Sequence, residues 1–458
     1  MNSDNVNSPQ RTLLLEEITL SNFRCFADCP IRLHENITVF VADNGQGKTS
    51  ILEAISLALN PFVDAILDGK KNPGFTLADI RRERNATGKM DRCPPVKISA
   101  RAYVNHNVIE WSRERGGITQ RSRTSDINTK TLTAAASNIV AATGLSTNSL
   151  WPIIVHYDAR RAAVVADGSN VGVPIKEQAD RNTGYRDHLN PISSFSQFIK
   201  WYRGHMLNLR ERPSAGVSRK NRPELLLAAV NQAARIVLEP TGWCNLHWDY
   251  DEDTLMVEHV EKGRFPLGTM SDGVRNMLAV VADMAHRCCR LNPHLEDKAA
   301  LGTPGVVLID EVDLHLHPGW QQLVVGLLRD AFPLVQFVFT THSPQVLSTV
   351  DADCIRVVKS GPNNTTIIEE PLFQTRGVES ADVLAAIMDV DPVPKLKESQ
   401  QLQRYRGLIE QGNGQSDEAS LLRIELVDHF GDQHPVMLEC ERLLRFFEFK
   451  KKRENNKQ

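Results

Sequence analysis

Near its N-terminus the sequence passes from an apolar run at residues 37–41, through the glycine-rich segment ADNGQGKTS at 42–50, to apolar residues at helical spacing over 51–59. The first run predicts a buried strand, and the last predicts a helix. Strand, glycine-rich turn, Gly-Lys-Thr and helix together are typical of a phosphate-binding loop, because glycines let backbone N–H groups fold around phosphate oxygens. The segment therefore predicts a P-loop in an α/β sheet.

The residue types in this loop suit ATP and Mg²⁺. Lys48 is expected to reach the β- and γ-phosphates, and the Thr49 hydroxyl is expected to ligate Mg²⁺. The helix N-terminus adds a partial positive charge. Ala42 stands where the motif usually has its first glycine, and alanine resists positive φ angles. The predicted ATP-binding residues are Asn44, Gly45, Gln46, Gly47, Lys48, Thr49 and Ser50.

Length, charge and composition limit the kinds of protein that this chain could be. A chain of 458 residues fits one large ATPase domain with insertions, or two to three domains. The net charge of −3 requires any nucleic-acid contact to come from a local patch. No wholly apolar span of 18 residues predicts a membrane helix, and the polar N-terminus does not resemble a secretory signal. The eight cysteines contain no Cys-x-x-Cys pair, which favours reduced thiols in a cytoplasmic protein over a zinc site.

A second apolar run, residues 306–309, ends in Asp310 and Glu311. A buried strand with two acids at its carboxyl end is what a Walker B motif requires. We expect Asp310 to hold Mg²⁺ and Glu311 to polarise the attacking water as the catalytic base. The apolar run 336–341 leads in the same way to His342, the second candidate catalytic residue, which could contact the γ-phosphate.

A turn of small residues, Ser271-Asp272-Gly273, precedes a helix predicted over about 274–290. Ser271 is a good N-cap residue, and the helix N-terminus would face an anion. The P-loop, this turn, the Asp-Glu pair and the histidine follow one another in an order that chance does not readily produce.

The segment 160–224 is basic, with 12 Lys/Arg against 6 Asp/Glu, and carries interleaved aromatic residues. One interpretation is a surface for nucleic acid or a partner. The other is an ordinary insertion whose aromatic residues lie in the core and whose charges are solvated. The sequence leaves both open. The aromatic residues are Tyr185, Phe195, Phe198, Trp201 and Tyr202.

The remaining patterns outline the other elements. Alternating residues predict an antiparallel pair at 13–20 and 31–33 and hairpins at 96–104 with 107–113, 244–249 with 254–260, and 354–358 with 365–369. Segment 74–84 is predicted as a basic loop or short helix, 114–130 as a loop, and 151–160 as a buried strand. Helices are predicted over 225–238, 381–388, about 395–411, 416–430 and 434–449. No sensor glutamine could be identified.

Together these motifs resemble an ABC/SMC-type ATPase head of the RecF and OLD group. The matching residues are Phe23-Arg24-x-Phe26, Asn44-Gly45-x-Gly47-Lys48-Thr49, Ser271-Asp272-Gly273-x-Arg275, Asp310-Glu311-x-Asp313-x-His315-Leu316-His317-Pro318 and Thr341-His342-Ser343-Pro344. The resemblance implies an α/β head with a central, mostly parallel sheet, an antiparallel β subdomain, a helical insertion and a helical C-terminal tail. It also implies that ATP with Mg²⁺ lies between two heads. Ser271, Asp272 and Gly273 would then be the signature motif acting in trans, and Asp313 would lie in the D-loop.

On this basis we expect a disordered tail at 1–11, the ATPase head at 12–372 with its insertion at about 160–240, an acidic helical domain at 373–449, and a basic tail at 450–458. OLD proteins carry a Toprim nuclease, but the Asp351-x-Asp353 and Asp389-x-Asp391 pairs here are interpreted as turn acids. An SMC-like head without coiled coil or Toprim is similar to PtuA, the ATPase of Septu-type and retron-linked anti-phage systems.

The PtuA resemblance implies a homodimer or a higher even oligomer, a separate HNH nuclease as partner (PtuB in that family), no nuclease in this chain, and no membrane contact. Two alternatives stay open. The first is a RecF-like repair clamp that binds DNA across a dimer. The second is a protein in which ATP is bound as a structural element and is hardly hydrolysed. The sequence does not reveal the trigger or the stoichiometry.

Overall fold

The computed structural model describes residues 11–67, 74–119, 121–145, 148–159, 180–189, 191–210, 222–361 and 365–455. They form two compact units that divide between Val383 and Leu384. The disordered tail expected at the N-terminus lies almost entirely outside the described residues, as does about half of the basic insertion. The described strands are β1 (Leu13–Phe23), β2 (Phe26–Arg32), β3 (Ile37–Val41), β4 (Arg82–Arg84), β5 (Met90–Arg92), β6 (Val96–Val104), β7 (Asn107–Arg115), β8 (Ser125–Ile127), β9 (Ile153–Tyr157), β10 (Trp243–Asp249), β11 (Thr254–His259), β12 (Gly263–Pro266), β13 (Gly305–Ile309), β14 (Val335–Thr341), β15 (Ile355–Ser360) and β16 (Thr366–Glu369).

A six-stranded sheet forms the centre of the larger unit, in the order β16-β15-β3-β14-β13-β9. All neighbours are parallel except β16, which pairs antiparallel with β15 at one edge. Strands β3, β9, β13 and β14 are buried over their whole length, as the apolar runs predicted. Because these strands are parallel, the P-loop, Asp310 and His342 all follow strands at the same edge of the sheet.

A second sheet is antiparallel and has the strand order β2-β1-β6-β7-β8. Its first hairpin confirms the strand pair that the sequence predicted before the P-loop. Gln336, buried in β14, joins the two sheets, since its side-chain amide bonds the Leu15 N–H at 2.9 Å and the Leu15 carbonyl oxygen at 2.8 Å. The first strand of the hairpin is therefore bonded directly to the central strand that lies next to β3.

The described residues also form thirteen α-helices. Their bounds are α1 (Lys48–Ile66), α2 (Thr129–Leu145), α3 (Pro191–Arg210), α4 (Pro223–Leu238), α5 (Asp272–Leu291), α6 (Ala299–Gly302), α7 (Pro318–Gln321), α8 (Val324–Ala331), α9 (Pro344–Leu347), α10 (Ser380–Met388), α11 (Lys397–Glu410), α12 (Asp417–Phe430) and α13 (Pro435–Asn455). In the described part of the chain, α1 alone is long and apolar enough to cross a membrane, and 67% of that window is buried inside the protein. The sequence had predicted no such helix, and its burial makes α1 a core helix.

The smaller unit, from Leu384 onwards, is helical, as predicted. Its core is formed where α11, α12 and α13 meet, at Tyr405, Ile409, Ala419, Leu426, Met437 and Cys440. Helix α13 continues to Asn455, so residues 450–455 of the predicted basic tail are helical.

Several local predictions were wrong. Segment 74–84 is neither a short helix nor a plain loop, because Arg82–Arg84 pairs with Met90–Arg92 as a two-stranded ribbon. The predicted loop 114–130 contains β8 and the start of α2. Strand β12, which pairs with β11, was missed. These strands are short and polar, so they lack the alternation by which strands are recognised.

The aromatic residues of the basic insertion lie in the core. Tyr185, Phe195, Phe198, Trp201 and Tyr202 are all buried. Two of the described arginines of this segment also make internal contacts. Arg181 donates to the Leu291 and Ser149 carbonyl oxygens at 2.5 and 2.7 Å, and Arg203 pairs with Asp253 at 2.7 Å. The aromatic residues therefore do not form an exposed stacking surface, which supports the interpretation as an ordinary insertion for the described part.

Candidate ATP-binding site

The loop between β3 and α1 has the backbone that phosphate binding needs. Gly45 and Gly47 lie at φ 80° and 96°, angles that other residues rarely adopt. A Cβ on Gly47 would also lie 2.5 Å from the Cys25 Sγ and 3.0 Å from the Phe26 ring. Ala42 does not have a positive φ angle, so an alanine fits at this position without backbone strain. The departure from the usual motif therefore leaves the loop intact.

Lys48 begins α1 and lies inside the loop. Its Nζ donates to the Ala42 carbonyl oxygen at 2.8 Å and to the Asp43 carbonyl oxygen at 3.1 Å. Burial lowers the pKa of Lys48, while Asp310 and Glu311 oppose that shift. These acids can act on the ammonium only because the two motifs lie close together, so Lys48 is held between the loop and the Walker B acids.

Thr49 and Asp310 join the two halves of the site. The Thr49 Oγ1 donates to the Asp310 Oδ2 at 2.8 Å, across 261 positions of sequence. Two neighbouring ligands of an octahedral Mg²⁺, each about 2.1 Å from the ion, stand about 2.9 Å apart. A hydroxyl and a carboxylate at this separation suit two neighbouring ligands of such an ion, and magnesium binding at Thr49 and Asp310 stays a prediction.

Thr340, near the end of β14, orders both Walker B acids. Its Oγ1 donates to the Asp310 Oδ1 at 2.5 Å and accepts the Glu311 N–H at 2.7 Å. Glu311 itself lies at φ 48°, a left-handed conformation that turns the chain sharply after the strand. Its side chain is half-buried. No local pattern indicates this role of Thr340, because it is a single hydroxyl in an apolar strand.

Asp313 and His342 lie at the same edge of the central sheet as the P-loop and Asp310. The Thr341 Oγ1 donates to the Asp313 Oδ1 at 2.5 Å. Burial lowers the pKa of His342, and the charge of Lys48 lowers it further, while Asp313, Glu311 and Asp310 act in the opposite direction. His342 is therefore neutral near pH 7, and it lies close enough to Lys48 and the three acids to feel their charges.

Of the remaining loop residues, Asn44 is exposed, and the Gln46 side chain donates to the Asp43 carboxylate at 3.3 Å. The Ser50 Oγ accepts from Arg24 at 3.3 Å. Arg24 also donates twice to the Asp79 Oδ1, at 2.9 and 3.0 Å, and pairs with Glu53 on α1. Arg24 thus ties the first hairpin to the P-loop helix, a contact that the sequence motif alone did not assign.

The signature turn lies at the start of α5. Ser271 occupies the N-cap position of α5, as predicted. Its side chain makes no capping hydrogen bond. Ser271 and Asp272 are exposed, and Asp272 pairs with Arg275. Gly273 is buried against the segment that follows Asp313, since a Cβ there would lie 2.5 Å from the His315 carbonyl oxygen. The turn therefore packs on its own D-loop and leaves a polar face exposed.

A buried polar network anchors α5 at its other end. The Tyr157 hydroxyl donates to the Asp283 Oδ2 at 2.6 Å, and the Arg287 Nε bonds the same oxygen at 2.8 Å. Arg287 also donates to the Gly184 and Arg186 carbonyl oxygens at 2.8 and 3.0 Å. Burial, followed by the charge of Asp283, raises the pKa of Tyr157. Because Tyr157 ends β9, this network links α5 to the strand beside Asp310.

The chain is similar to several known proteins. The sequence profile of a family described as an AAA domain matches residues 17–224. The chain is 26% identical over 447 residues to the Retron Vc95 probable ATPase of Vibrio cholerae serotype O1 biovar El Tor, covering 87% of this chain and 84% of that protein. It is 30% identical over 124 residues to the Septu protein PtuA of Bacillus mycoides (strain KBAB4), covering 26% of this chain and 16% of PtuA.

Among solved structures, the SmcHead bound to the C-winged helix domain of ScpA matches 78% of this chain and 97% of its own, with 14% identity and a TM-score of 0.48. The P-loop, Asp310, Glu311 and His342 thus converge in a chain that contains a match to an AAA domain and is similar in sequence to retron and Septu ATPases.

Proposed function

We propose that two copies of this chain pair around ATP and Mg²⁺, hydrolyse the nucleotide, and thereby control a separate HNH nuclease in an anti-phage defence complex. The names of the relatives support the defence role, since they are a retron ATPase and a Septu protein. The nuclease partner comes from the PtuA resemblance. The observation that carries the ATPase part is the hydrogen-bonded chain from Thr49 through Asp310 and Thr340 to Glu311.

Each of these residues has a distinct task in the proposed reaction. The loop N–H groups and Lys48 bind the phosphates, and the N-terminus of α1 adds its dipole. Glu311 orients the attacking water and accepts its proton. Neutral His342 offers a ring N–H to the γ-phosphate as charge develops there. Thr340 holds the Asp310 carboxylate and the Glu311 main chain in place before the substrate arrives, which limits reorganisation during the reaction.

Thr49 and Asp310 would hold Mg²⁺ in this site. When bound, the ion supplies Lewis-acid stabilisation to the β- and γ-phosphate oxygens. The contribution of the chain is to fix the two oxygen ligands at a separation that suits octahedral coordination.

The signature turn supports the pairing of two heads. Ser271 and Asp272 are exposed at the N-terminus of a 20-residue helix, where N–H groups favour an anion. In the described part of the chain, no hydrogen bond joins Ser271 or Asp272 to the P-loop of the same molecule. We therefore assign this turn to the ATP held by a second copy, with Asp313 at the boundary between the two sites.

A nuclease site in this chain is not part of the proposal, because the paired aspartates have turn roles. Asp351 is the N-cap residue of a short 3₁₀ turn and pairs with Arg376, and Asp353 lies in that turn. The Asp391 carboxylate accepts the Val393 N–H at 2.9 Å, as in an Asx turn. We propose that cleavage belongs to the partner and that the complex acts in the cytoplasm.

The proposal is tested by purifying the chain alone and with the product of its neighbouring gene, with and without ATP and Mg²⁺. We expect ADP release by the chain alone, no DNA or RNA cleavage by it, and a stable complex of even ATPase stoichiometry with an HNH protein. Nuclease activity intrinsic to the chain would contradict the proposal. A protein that dimerises with ATP and ignores its neighbour would favour the RecF-like clamp.

A further inference from the structure

The two-stranded ribbon of β4 and β5 has an unusual charge pattern. Arg82 lies opposite Arg92, Glu83 opposite Asp91, and Arg84 opposite Met90. Because side chains alternate between the two faces of a strand, one face carries three arginines and a methionine, and the other carries both acids. Like charges placed directly opposite each other destabilise a strand pair. The positive and negative side chains of the ribbon therefore lie on opposite faces, and the repulsion between like charges on each face lowers the stability of the ribbon.

The arginine face has no internal counter-charge. In the described ranges, no ion pair joins Arg82, Arg84 or Arg92 to an acid. The Arg84 Nε donates to the Gly88 carbonyl oxygen, and the Arg92 Nε donates to the Leu77 carbonyl oxygen, both at 3.2 Å. These contacts orient the guanidinium groups and leave their charge uncompensated.

The two acids on the opposite face, Glu83 and Asp91, contact residues outside the arginine face. Glu83 pairs with Arg81 at 3.1 Å. The Asp91 Oδ2 accepts from the Asn85 Nδ2 at 2.7 Å. Glu83 is therefore paired with a cation outside the arginine face, and Asp91 keeps its charge on the opposite face of the ribbon.

The hairpin turn is well ordered. The Asn85 Oδ1 accepts from the Thr87 and Lys89 N–H groups at 3.0 and 2.9 Å, and Gly88 adopts φ 83°. Lys89 is exposed and adds a further positive charge, and Met90 is 53% exposed on the arginine face. The ribbon thus presents a fixed cationic surface with one apolar side chain.

The base of the ribbon is joined to the ATP site. The Arg81 N–H donates to the Asn22 carbonyl oxygen at 2.8 Å, and the Arg24 N–H donates to the Asp79 carbonyl oxygen at 2.9 Å. The Arg24 guanidinium in turn bonds Asp79, Ser50 and Glu53. Hydrogen bonds through Asp79 and Arg24 therefore connect the base of the ribbon to the P-loop helix.

We infer that the arginine face of β4–β5 binds duplex DNA. The major groove of B-form DNA is about 12 Å wide and admits a two-stranded β-ribbon. Arginine guanidinium groups bind phosphate oxygens with two hydrogen bonds each. This assignment moves nucleic-acid binding from the basic insertion, whose aromatic residues are buried, to the ribbon. It rests on the proposed function for its role as a trigger, because DNA held here would act on the nucleotide site through Arg24.

The test measures the affinity of the full chain for a 30-base-pair DNA duplex by fluorescence anisotropy, without nucleotide, over a series of salt concentrations. One variant carries Arg82→Gln, Arg84→Gln and Arg92→Gln. The control carries Lys130→Gln, Arg186→Gln and Arg329→Gln, which remove the same charge from exposed positions elsewhere. Thermal unfolding and ATP affinity confirm that both variants are folded.

We expect the ribbon variant to lose affinity by on the order of tenfold to a hundredfold at 0.1 M salt, and its salt slope to fall by about 2.7. The control should stay within about threefold of the unmodified chain. No DNA binding by the unmodified chain, equal losses in both variants, or preference for duplex RNA would overturn the inference. ADP release without DNA is measured in parallel, so a failed ATPase proposal and a failed DNA surface give different results.

Discussion

The Cα of Gly273 packs against the His315 carbonyl oxygen, so closely that an added Cβ would lie 2.5 Å from that oxygen. This contact joins the exposed signature turn to the segment that follows Asp313, whose side chain accepts a hydrogen bond from Thr341 in the nucleotide site. In the proposed pair of heads, the surface offered to the second head would therefore be built directly on the nucleotide site of the first.

Gly273→Ala is expected to destabilise the chain by about 1–3 kcal/mol, because a backbone carbonyl cannot move away as a flexible side chain can. It should also lower ATP hydrolysis while leaving nucleotide affinity unchanged, since only the start of α5 is displaced. Thermal unfolding and steady-state hydrolysis measure the two effects. The control is Gly268→Ala, in the short 3₁₀ turn just before the signature turn, where an added Cβ meets nothing within 4 Å. Equal behaviour of the two variants would contradict the packing argument.

Thr340→Val keeps the shape of the side chain and removes the hydroxyl that orders both Walker B acids. We expect a loss of about 1–3 kcal/mol in stability, because Asp310 and the Glu311 N–H each lose a buried partner. The Mg²⁺ concentration needed for hydrolysis should rise, and the rate per folded molecule should fall. Thr38→Val, on β3, also removes a buried hydroxyl that accepts a hydrogen bond, from the His34 N–H at 2.9 Å. Its rate per folded molecule should not change.

Glu311→Gln should retain ATP and stall its hydrolysis. A glutamine preserves the size of the side chain but cannot accept a proton, and general bases contribute about 100-fold or more to such reactions. Closed pairs of heads should then accumulate, which sedimentation in the presence of ATP and Mg²⁺ would detect. Glu369→Gln, on the exposed edge strand β16, serves as the control. Hydrolysis by Glu311→Gln at the unmodified rate would remove Glu311 from its catalytic role.

Buried histidines make stability depend on pH. Burial lowers the pKa of His286 to about 3 and that of His188 to about 4, from an ordinary value of 6.5. Below pH 6.5 these histidines are protonated in the unfolded chain but stay neutral in the native chain. As the pH is lowered, the free energy of unfolding therefore decreases by about 1.4 kcal/mol per pH unit for each histidine. Above pH 6.5 neither residue has an effect.

His286→Leu should therefore flatten the stability profile between pH 6.5 and 5 by about 1.4 kcal/mol per pH unit. Leucine suits this site because His286 packs against Phe198 and Trp201, with ring centroids 6.1 and 4.8 Å away. Denaturant unfolding at a series of pH values measures the slope. His429→Leu, at an exposed position on α12, should leave it unchanged. A slope in His286→Leu that matches the unmodified chain would contradict the assignment.

The sequence was most informative where strands are buried on both faces. The runs ending at Val41, Ile309 and Thr341 are apolar throughout, so their strands and the polar residues after them were predicted within a residue or two. Parallel order at one edge of a sheet then implied that these residues meet. The Thr49–Asp310 contact, 261 positions apart, follows from that reasoning.

What the sequence could not indicate depends on tertiary packing. Thr340 is one hydroxyl in an apolar strand, and nothing local distinguishes it from a core residue. Trp201 looked equally suitable for stacking on bases until its burial against His286 was known. The β4–β5 ribbon is held by an Asn-centred turn and by contacts at its base, so its charged strands lack the apolar alternation that marks a strand.

The most direct test of the composite site mixes two inactive chains. Lys48→Ala should lose nucleotide binding, and Ser271→Arg should bind ATP as a monomer but fail to close a pair. A mixed pair has one site that combines an intact P-loop from the Ser271→Arg chain with an intact signature turn from the Lys48→Ala chain. We predict that hydrolysis, absent from each variant alone, reappears on mixing. Hydrolysis by Ser271→Arg alone at the unmodified rate, or a mixture no more active than its separate components, would contradict the account.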